Sequence, residues 1–251
     1  MNAINLLHIS TRPANCEEHG EFASRNVFGN IWSHCPVCET LRREKEQAEK
    51  EAHDRIEKMR RWESKLGRSG IPDRFKTRTL DTYLADTSEK KRALDFSLEY
   101  ALQFDGKSGK SALFVGKPGT GKTHLAVGIG LSAMRDGYSV LFFTVMRAIR
   151  RVKDTWSRES TESESEAIAA LVEPDLLILD EVGIQFGSET EKRILFDILN
   201  ERYEKRRSCI LLSNLSSDEV VSFLGERVID RLREDGGEVI PFTWESHRGK
   251  L

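Results

Sequence analysis

The sequence lacks both a membrane-spanning segment and a strong excess of one charge. Its 251 residues contain no apolar run of about 18 residues, and the N-terminus lacks the basic start and apolar block of a signal peptide. The formal net charge is −2, so the chain is not cationic overall, and any nucleic-acid contact must come from a local basic patch. We therefore expect a cytoplasmic protein that makes no membrane contact.

Cysteine is scarce, and three of the four cysteines lie in the first 40 residues. They form the pairs Cys16-x-x-His19 and Cys35-x-x-Cys38. Two close ligand pairs joined by a short loop are the arrangement that a tetrahedral Zn²⁺ requires. We expect structural zinc, because four protein ligands leave no open coordination position. Free thiols beside a surface histidine are the alternative, and His34 is a rival for one ligand position.

The loop between the two pairs carries apolar side chains that a small metal module needs. A module of this size has too few residues to bury a large core, so a metal ion and a few apolar contacts must stabilise it together. We expect four side chains to form this small core: Phe22, Phe28, Ile31 and Trp32.

A highly charged helix is predicted after the cysteine pairs. Residues 39–66 are rich in helix-forming residues, contain no glycine or proline, and present only a thin apolar stripe. Such a helix is either a solvated spacer or a helix that docks on a partner protein. Two glycines and a proline at 67–72 then break it. We expect a zinc-binding module at 1–40, a linking helix at 41–67 and a larger domain at 68–251.

The larger domain contains a P-loop. Residues 111–123, SALFVGKPGTGKT, form a short apolar strand that leads into G-x-x-x-x-G-K-T and then into a helical pattern. Backbone N–H groups and a helix N-terminus hold the phosphates, a lysine reaches the β- and γ-phosphates, and a Thr hydroxyl ligates Mg²⁺. A glycine-rich turn that matches by chance is the alternative. The expected ATP-binding residues are Gly116, Lys117, Pro118, Gly119, Thr120, Gly121, Lys122, Thr123 and His124.

A second nucleotide motif follows downstream. Four apolar residues, LLIL, precede Asp180 and Glu181, which is the Walker B pattern. We expect Asp180 to face Mg²⁺ and Glu181 to polarise the attacking water, and so favour hydrolysis. Asn214 ends a later apolar strand and is expected between the two motifs, where its amide can sense the γ-phosphate or the water. A strand that ends in a charged turn and a loop-capping Asn are the alternatives.

Strand and helix patterns alternate through the larger domain. Apolar runs of four to six residues between helical patterns predict a parallel sheet covered by helices on both faces. Strands are predicted from 111 and at 139–145, 176–179, 208–213 and 239–244; helices are predicted at 89–104, 122–135, 189–205 and 218–224, and from about 146. The predicted fold class is α/β, with the architecture of a P-loop nucleoside triphosphatase.

Arginines cluster late in the domain. Arg227 and Arg231 are four residues apart and would lie on one face of a helix. One of them could complete a neighbouring subunit's site as an arginine finger, which requires an oligomer. A salt-bridged surface helix is the alternative.

The combined motifs name a family. GKPGTGKTHLA, LLILDEVGIQ, LLSN, LGERVIDRLR and FTWESHR occur in this order within residues 68–251, and together they resemble bacterial and phage helicase loaders of the DnaC/DnaI type. The resemblance implies an AAA+ ATPase of weak, stimulated activity that self-associates and places the hexameric replicative helicase on single-stranded DNA. It also implies that Asn214 is sensor 1, Arg231 the arginine finger with Arg227 its rival, and Arg248 the nucleotide-contacting sensor 2.

A basic helix is the candidate DNA contact. Arg147, Arg150, Arg151 and Lys153 could bind phosphates, and Trp156 could stack on a base. In the loaders that the chain resembles, a helical insertion near this position contacts single-stranded DNA. An ordinary amphipathic helix with Ile149, Val152 and Trp156 in the core is the alternative.

Two other functions compete with helicase loading. The transposition ATPase IstB shares much of the motif set and is the nearest competitor. In the second alternative, the zinc module is a nucleic-acid or protein adaptor and the ATPase domain a nucleotide-gated scaffold. The sequence shows no C-terminal helix-turn-helix after the motifs, which argues against a DnaA-type initiator.

Overall fold

The structure, a computed structural model, describes residues 10–183 and 188–247, except for the side chains at 48, 51–63 and 65. The chain divides into two compact units, Met1–Arg61 and Trp62–Leu251. The charged helix α1 (Pro36–Arg68) begins in the first unit and ends in the second. In this described part, no helix is long and apolar enough to cross a membrane. The three-segment division at 40 and 67 stays a prediction.

The first unit contains a small antiparallel sheet that the sequence pattern did not predict. Its strands are β1 (Thr11–Cys16), β2 (Gly20–Phe28) and β3 (Ile31–Trp32), in the order β1-β2-β3. Cys16 pairs with Gly20 across the first turn, and Gly20 has a φ of +74°, which favours glycine. The turn therefore places Cys16 and His19 close together at one end of the sheet.

The predicted apolar core of this unit is wrong for two of its four members. Phe28 and Ile31 are 80% and 63% exposed, whereas Phe22 and Trp32 are half-buried. The cause is the length of β2: β1 pairs with its residues 20–25 only, and Phe28 and Ile31 pair with each other beyond the part that β1 covers. Val27, in the same turn region, is 67% exposed.

The second unit is built on a five-stranded parallel sheet, which confirms the predicted α/β class. Its order is β5-β6-β7-β4-β8. The strands are β4 (Ala112–Gly116), β5 (Val140–Thr144), β6 (Leu176–Val182), β7 (Ser208–Ser213) and β8 (Glu238–Phe242). β4 and β7 are apolar and buried along nearly their whole length, and β6 is buried up to Leu179, as expected for the central strands of a parallel sheet covered on both faces; the edge strand β8 is exposed at Glu238 and Pro241.

Helices cover both faces of this sheet and enclose two apolar cores. Alternation along β4 sends Ala112 and Phe114 into one core and Leu113 and Val115 into the other. The helices are α2 (Ser88–Gln103), α3 (Lys122–Arg135), α4 (Val145–Asp154), α5 (Glu164–Val172), α6 (Glu189–Glu204), α7 (Ser217–Leu224) and α8 (Glu226–Glu234).

The sequence pattern did not predict helix α5. It has nine residues and starts inside the polar run SRESTESESE, which resembles a loop in composition. A capping box begins it: the Ser163 hydroxyl accepts from the backbone N–H of Glu166, whose carboxylate accepts from the N–H of Ser163. The spacing S-x-x-E before an apolar run was the available signal.

A fully buried arginine joins the layers on one side of the sheet. The Arg202 guanidinium donates to the backbone carbonyls of Leu171, Val172, Pro174, Asp175 and Ser208 at 2.5–3.4 Å. Its Nε also donates to the sulfur of Cys209 at 3.1 Å, which gives that buried cysteine a structural role. One side chain thus satisfies the carbonyls at the end of α5 and at the start of β7.

We expect Arg202→Met to lower the free energy of unfolding of the second unit by about 2–3 kcal/mol, because several buried carbonyls lose their donor. Urea unfolding followed by fluorescence measures the change. The control is Arg206→Met, at an exposed arginine that pairs with Asp235, for which we expect a change within about 0.5 kcal/mol. Equal losses in the two variants would contradict the assigned role of Arg202.

Candidate functional site

The P-loop connects β4 to α3, and its backbone requires glycine at two close approaches. Gly116 has a φ of +135°, and a Cβ there would collide with the carbonyl oxygen of Phe242. Gly121 has a φ of +101°, and a Cβ would lie 2.7 Å from the Tyr83 ring. The loop is therefore confined between β8 and the segment before α2, and its N–H groups lead directly into the N-terminus of α3.

Lys122 is the first residue of α3, and its ammonium group lies inside the loop. The side chain is buried, and Nζ donates to the carbonyl oxygens of Gly116 at 2.5 Å and Lys117 at 2.8 Å. An ammonium group held among loop N–H groups creates a concentrated positive field. This arrangement suits a polyphosphate.

The two nucleotide motifs meet at Thr123 and Asp180. The Thr123 hydroxyl donates to the Asp180 carboxylate at 3.0 Å. Burial raises the pKa of Asp180 above its ordinary value, although the N–H of Glu181, the Thr123 hydroxyl and the Lys122 charge act in the opposite direction. A hydroxyl and a buried carboxylate at this distance are suitable donors for Mg²⁺.

Glu181 lies next to this pair in an unusual backbone conformation. Its φ is +65°, which is rare for a residue with a side chain, and its N–H donates to Asp180 at 2.8 Å. The register between β6 and β7 shifts between Leu179 and Val182, so the strand is irregular at the two acidic residues. The irregularity leaves Glu181 exposed beside the half-buried Asp180.

The strand order brings Asn214 to the same edge of the sheet. β7 lies between β4, which carries the P-loop, and β6, which carries the acidic pair. Asn214 directly follows β7 and is exposed. The carboxyl ends of the three parallel strands thus group the P-loop, Asp180, Glu181 and Asn214.

A pocket beside the P-loop includes residues to which the sequence analysis assigned no role. The indole N–H of Trp244 donates to the Thr120 carbonyl at 2.8 Å, and the Tyr83 hydroxyl donates to the same oxygen at 3.4 Å. The backbone N–H of His247 donates to the carbonyl oxygen of Gly119 at 2.9 Å. The pocket also contains Arg78, Leu84, Lys90 and His124. Aromatic and cationic side chains beside a phosphate loop are suited to a nucleotide base.

His124 joins α3 to the segment before α2. Its Nε2 lies 2.9 Å from the Thr79 carbonyl and 3.2 Å from the Thr82 hydroxyl. Burial lowers the pKa of His124 below its ordinary value. Arg248, predicted to be sensor 2, lies outside the described residues.

The two candidate finger residues differ in their environment on α8. Arg231 donates to the Asn200 side chain and lies 4.8 Å from the Tyr203 ring centre. Arg227 is exposed and has no side-chain partner among the described residues. Arg227 is thus free to reach outward, whereas Arg231 must exchange contacts before it can.

Most of the candidate DNA-binding side chains of α4 already have partners. Arg151 pairs with Glu162 at 2.5 Å, and Lys153 pairs with Glu191 at 3.1 Å. The Arg147 guanidinium lies over the Phe143 ring, and the Trp156 indole donates to Glu164. Arg150 is exposed and has no side-chain partner in the described part of the chain. Ile149 and Val152 are buried, as the amphipathic alternative expected, but Trp156 is 48% exposed.

The structure brings the four predicted metal ligands of the first unit together. Their ligand atoms all lie within 4.8 Å of one another. The Cys16 and Cys38 sulfurs are 3.6 Å apart, and His19 Nδ1 lies 3.6 Å and 3.3 Å from them. Zn–S bonds of about 2.3 Å in a tetrahedron place two sulfurs about 3.8 Å apart, so the cluster has the size of a tetrahedral zinc site.

The cluster has a simple local origin. Cys16 ends β1, His19 follows in the turn, Cys35 precedes α1, and Cys38 lies in the first turn of that helix. The contact with His19 lowers the pKa of the Cys16 thiol to about 6, which favours the thiolate form that binds metals. His34 is exposed and is not a member of the cluster.

Comparison with known proteins agrees with this geometry. The model of the family of IstB-like ATP-binding proteins matches residues 46–250. The replicative helicase loader DnaC of Buchnera aphidicola subsp. Baizongia pistaciae is 38% identical over 186 residues, which cover 74% of this chain and 75% of the relative. DnaC of Escherichia coli K12 is 36% identical over 201 residues, or 80% of each chain.

A solved structure shows the same relationship. A crystal structure of the DnaC helicase loader superimposes with a TM-score of 0.61 at 27% identity, covering 68% of this chain and 99% of the other. Residues 46–250, which the family model matches, contain the P-loop, the acidic pair and α8 of the second unit. The chain therefore belongs to the IstB-like ATP-binding proteins and, among them, to the family of DnaC-type replicative helicase loaders.

Proposed function

We propose that this chain loads the hexameric replicative helicase onto single-stranded DNA in an ATP-dependent step of replication initiation. The observation that carries the proposal is a grouped P-loop, acidic pair and Asn214 in a chain whose DnaC relatives match it over most of their length. ATP binding would favour assembly of the loader and capture of DNA. Hydrolysis would then release the loader.

The nucleotide would bind across the P-loop with its base toward Tyr83 and Trp244. Lys122 and the loop N–H groups would hold the phosphates, and Thr123 with Asp180 would hold Mg²⁺. Bound Mg²⁺ would neutralise charge on the β- and γ-phosphates. Exposed Glu181 would polarise the attacking water, and Asn214 would orient it. We propose that this hydrolysis is slow until the chain self-associates or binds DNA.

Self-association would supply the missing cation for that hydrolysis. An arginine finger acts on the nucleotide of a neighbouring subunit, so it must be able to extend away from its own domain. Arg231 matches the family position but is held by Asn200 and Tyr203, whereas Arg227 is unrestrained. We propose Arg231 as the finger, which leaves its intrachain contacts when a neighbour binds.

We expect Arg231→Ala to retain ATP affinity but to lose about 100-fold or more of the oligomer-stimulated hydrolysis rate, because the transition-state charge is no longer neutralised. Arg227→Ala is the matched control, four residues away on the same helix. Hydrolysis would be measured against protein concentration, so that the stimulated component is separated from the basal one. Full stimulation in Arg231→Ala together with its loss in Arg227→Ala would transfer the role to Arg227.

The first unit, with the linking helix, is the proposed helicase-binding region. We propose that Cys16, His19, Cys35 and Cys38 hold a structural Zn²⁺ that orders the turn and the start of α1. The turn between β2 and β3, at the other end of β2 from the Cys16–His19 turn, exposes Val27, Phe28 and Ile31, which is unusual for side chains of this size. Three apolar side chains on a small hairpin suit an apolar groove on the helicase.

Single-stranded DNA would bind the basic face of α4. Arg150 is available without rearrangement, and Arg147 and Lys153 are exposed. These cations would neutralise backbone phosphates, and Trp156 could stack on a base after it leaves Glu164.

A loading assay tests the proposal. The substrate is a covalently closed single-stranded circle carrying an annealed labelled oligonucleotide, because a ring helicase cannot thread onto it from an end. We expect strand release by the replicative helicase to require this chain and ATP. Equal release without the chain would contradict the proposal. If the chain instead binds double-stranded DNA and stimulates a transposase, the IstB-like function, which the family model's description favours, would replace it.

A further inference from the structure

The DNA-facing side of α4 is covered by an acidic segment of the same chain. Residues 157–166, SRESTESESE, contain four glutamates and one arginine and run from the end of α4 into the first turn of α5. Two of the glutamates contact candidate DNA-binding side chains: Glu162 accepts from Arg151 Nη2 of α4 at 2.5 Å, and Glu164 accepts from the indole of Trp156, which follows α4, at 2.6 Å. Both contacts use side chains that were assigned to DNA.

We propose that this acidic segment is an internal competitor of single-stranded DNA, which must displace it to reach Arg151 and Trp156. The proposal rests on the proposed DNA-binding role of α4. A carboxylate that accepts from an arginine occupies the position that a phosphate oxygen would take, because both anions accept the same guanidinium hydrogen bonds. The indole N–H is likewise occupied by a carboxylate.

The acidic segment is attached at both ends and weakly held between them. At one end, Ser163 caps α5, whose Ala167 and Leu171 are buried. At the other end, the backbone N–H of Ser157 donates to Asp154 in the last turn of α4. Between these points, every residue except Glu162 is exposed. The ion pair of Glu162 is partly exposed, and the indole bond of Glu164 lies just beyond Ser163 at the exposed start of α5, so displacement of either carboxylate by a phosphate costs little.

A third carboxylate reaches α4 from another element. Glu191, in the first turn of α6, pairs with Lys153. The Glu191 side chain is itself buried, whereas that of Glu162 is half-buried and that of Glu164 is exposed, so we do not include Glu191 in the displaceable cover. The cover consists of the two carboxylates that can turn away from their partners without moving a helix.

The chain contains a matched control for this cover. Glu159 lies in the same acidic segment, carries the same charge and is exposed, yet its carboxylate has no partner among the described residues. Glu159→Gln therefore removes one negative charge from the surface without releasing a cation of α4. Any gain in DNA affinity beyond that of this variant measures release of the cover rather than a change in net charge.

Fluorescence anisotropy with a labelled oligothymidylate and the full-length chain, in ATP, tests the proposal. We expect Glu162→Gln to bind about fivefold more tightly than wild type, and Glu159→Gln, which removes the same charge, less than twofold more tightly. We also expect the slope of log affinity against log salt to steepen by about 0.7, because Arg151 gains one phosphate on a single strand. A purely structural contact would not change this slope.

Two further results separate the proposal from the DNA assignment on which it depends. Arg150→Glu changes a partnerless cation of α4 and should weaken binding if α4 contacts DNA at all. If Arg150→Glu has no effect, α4 is not the DNA surface, and both proposals fail. If Arg150→Glu weakens binding but Glu162→Gln behaves like Glu159→Gln, only the internal competitor is overturned. Retained ATP binding shows that each variant is folded.

Discussion

Lys122→Ala is expected to weaken ATP binding about 1,000-fold, a loss of about 4 kcal/mol. The physical reason is the position of the ammonium group, which is buried inside the loop and held by two loop carbonyls. It would make charge-assisted hydrogen bonds to two phosphates, each contributing about 1.5–3 kcal/mol. Titration with a fluorescent ATP analogue, or calorimetry, measures the loss.

Lys117→Ala is the control for this experiment. Lys117 lies in the same loop and carries the same charge, but its side chain is exposed and pairs with Glu245 at 3.4 Å. We expect its ATP affinity to stay within about threefold of wild type, the size of a screened surface charge. Near-normal ATP affinity in Lys122→Ala would contradict the nucleotide site.

Removal of zinc is expected to unfold the first unit while the second unit stays folded. The unit has three short strands, exposed apolar side chains at its hairpin turn and a half-buried Phe22 and Trp32, so its apolar core is too small to hold it without metal. Hydrogen exchange over residues 11–32 measures the loss of protection after chelation. Protection in β4, β6 and β7 serves as the internal reference.

Point variants identify the ligands of this site. His19→Ala should lower the bound zinc, measured by elemental analysis, well below one equivalent per chain, because a ring nitrogen is lost from the cluster. His34→Ala is the matched control, since His34 is exposed and lies outside the cluster. Full zinc content in His19→Ala with loss in His34→Ala would reverse the assignment. No zinc in the wild-type chain would contradict the metal site altogether.

The sequence was sufficient for the central sheet because each strand is a short apolar run that a helix follows. The run that contains the P-loop strand and the run before Asp180 lie in β4 and β6, and the run before Asn214 is β7, which the strand order places between them. Local patterns therefore predicted which side chains would share an edge.

Other features depend on contacts that no local pattern shows. The contacts of Tyr83 and Trp244 with Thr120 span 37 and 124 residues. The five carbonyls of Arg202 likewise come from two segments, and nothing in the sequence pattern indicates a buried arginine. The sequence pattern predicted the basic helix but not its ion pairs, because the loop after α4 must fold back before Glu162 can reach Arg151.

The exposed hairpin has a similar explanation. Phe28 and Ile31 resemble core residues by composition, and only the register of the strands shows that they pair with each other beyond the part of β2 that β1 covers. The error in the predicted core thus identifies the surface proposed to contact the helicase.

Native mass spectrometry of this chain mixed with the hexameric replicative helicase, with and without ATP, tests the helicase-loader function most directly. We expect a discrete complex of several copies of the chain on one helicase hexamer. We expect Phe28→Ser/Ile31→Ser to lose the complex and Leu102→Ser, which removes an exposed apolar side chain from the second unit, to retain it. No complex with the wild-type chain, in either nucleotide condition, would contradict the helicase-loader function.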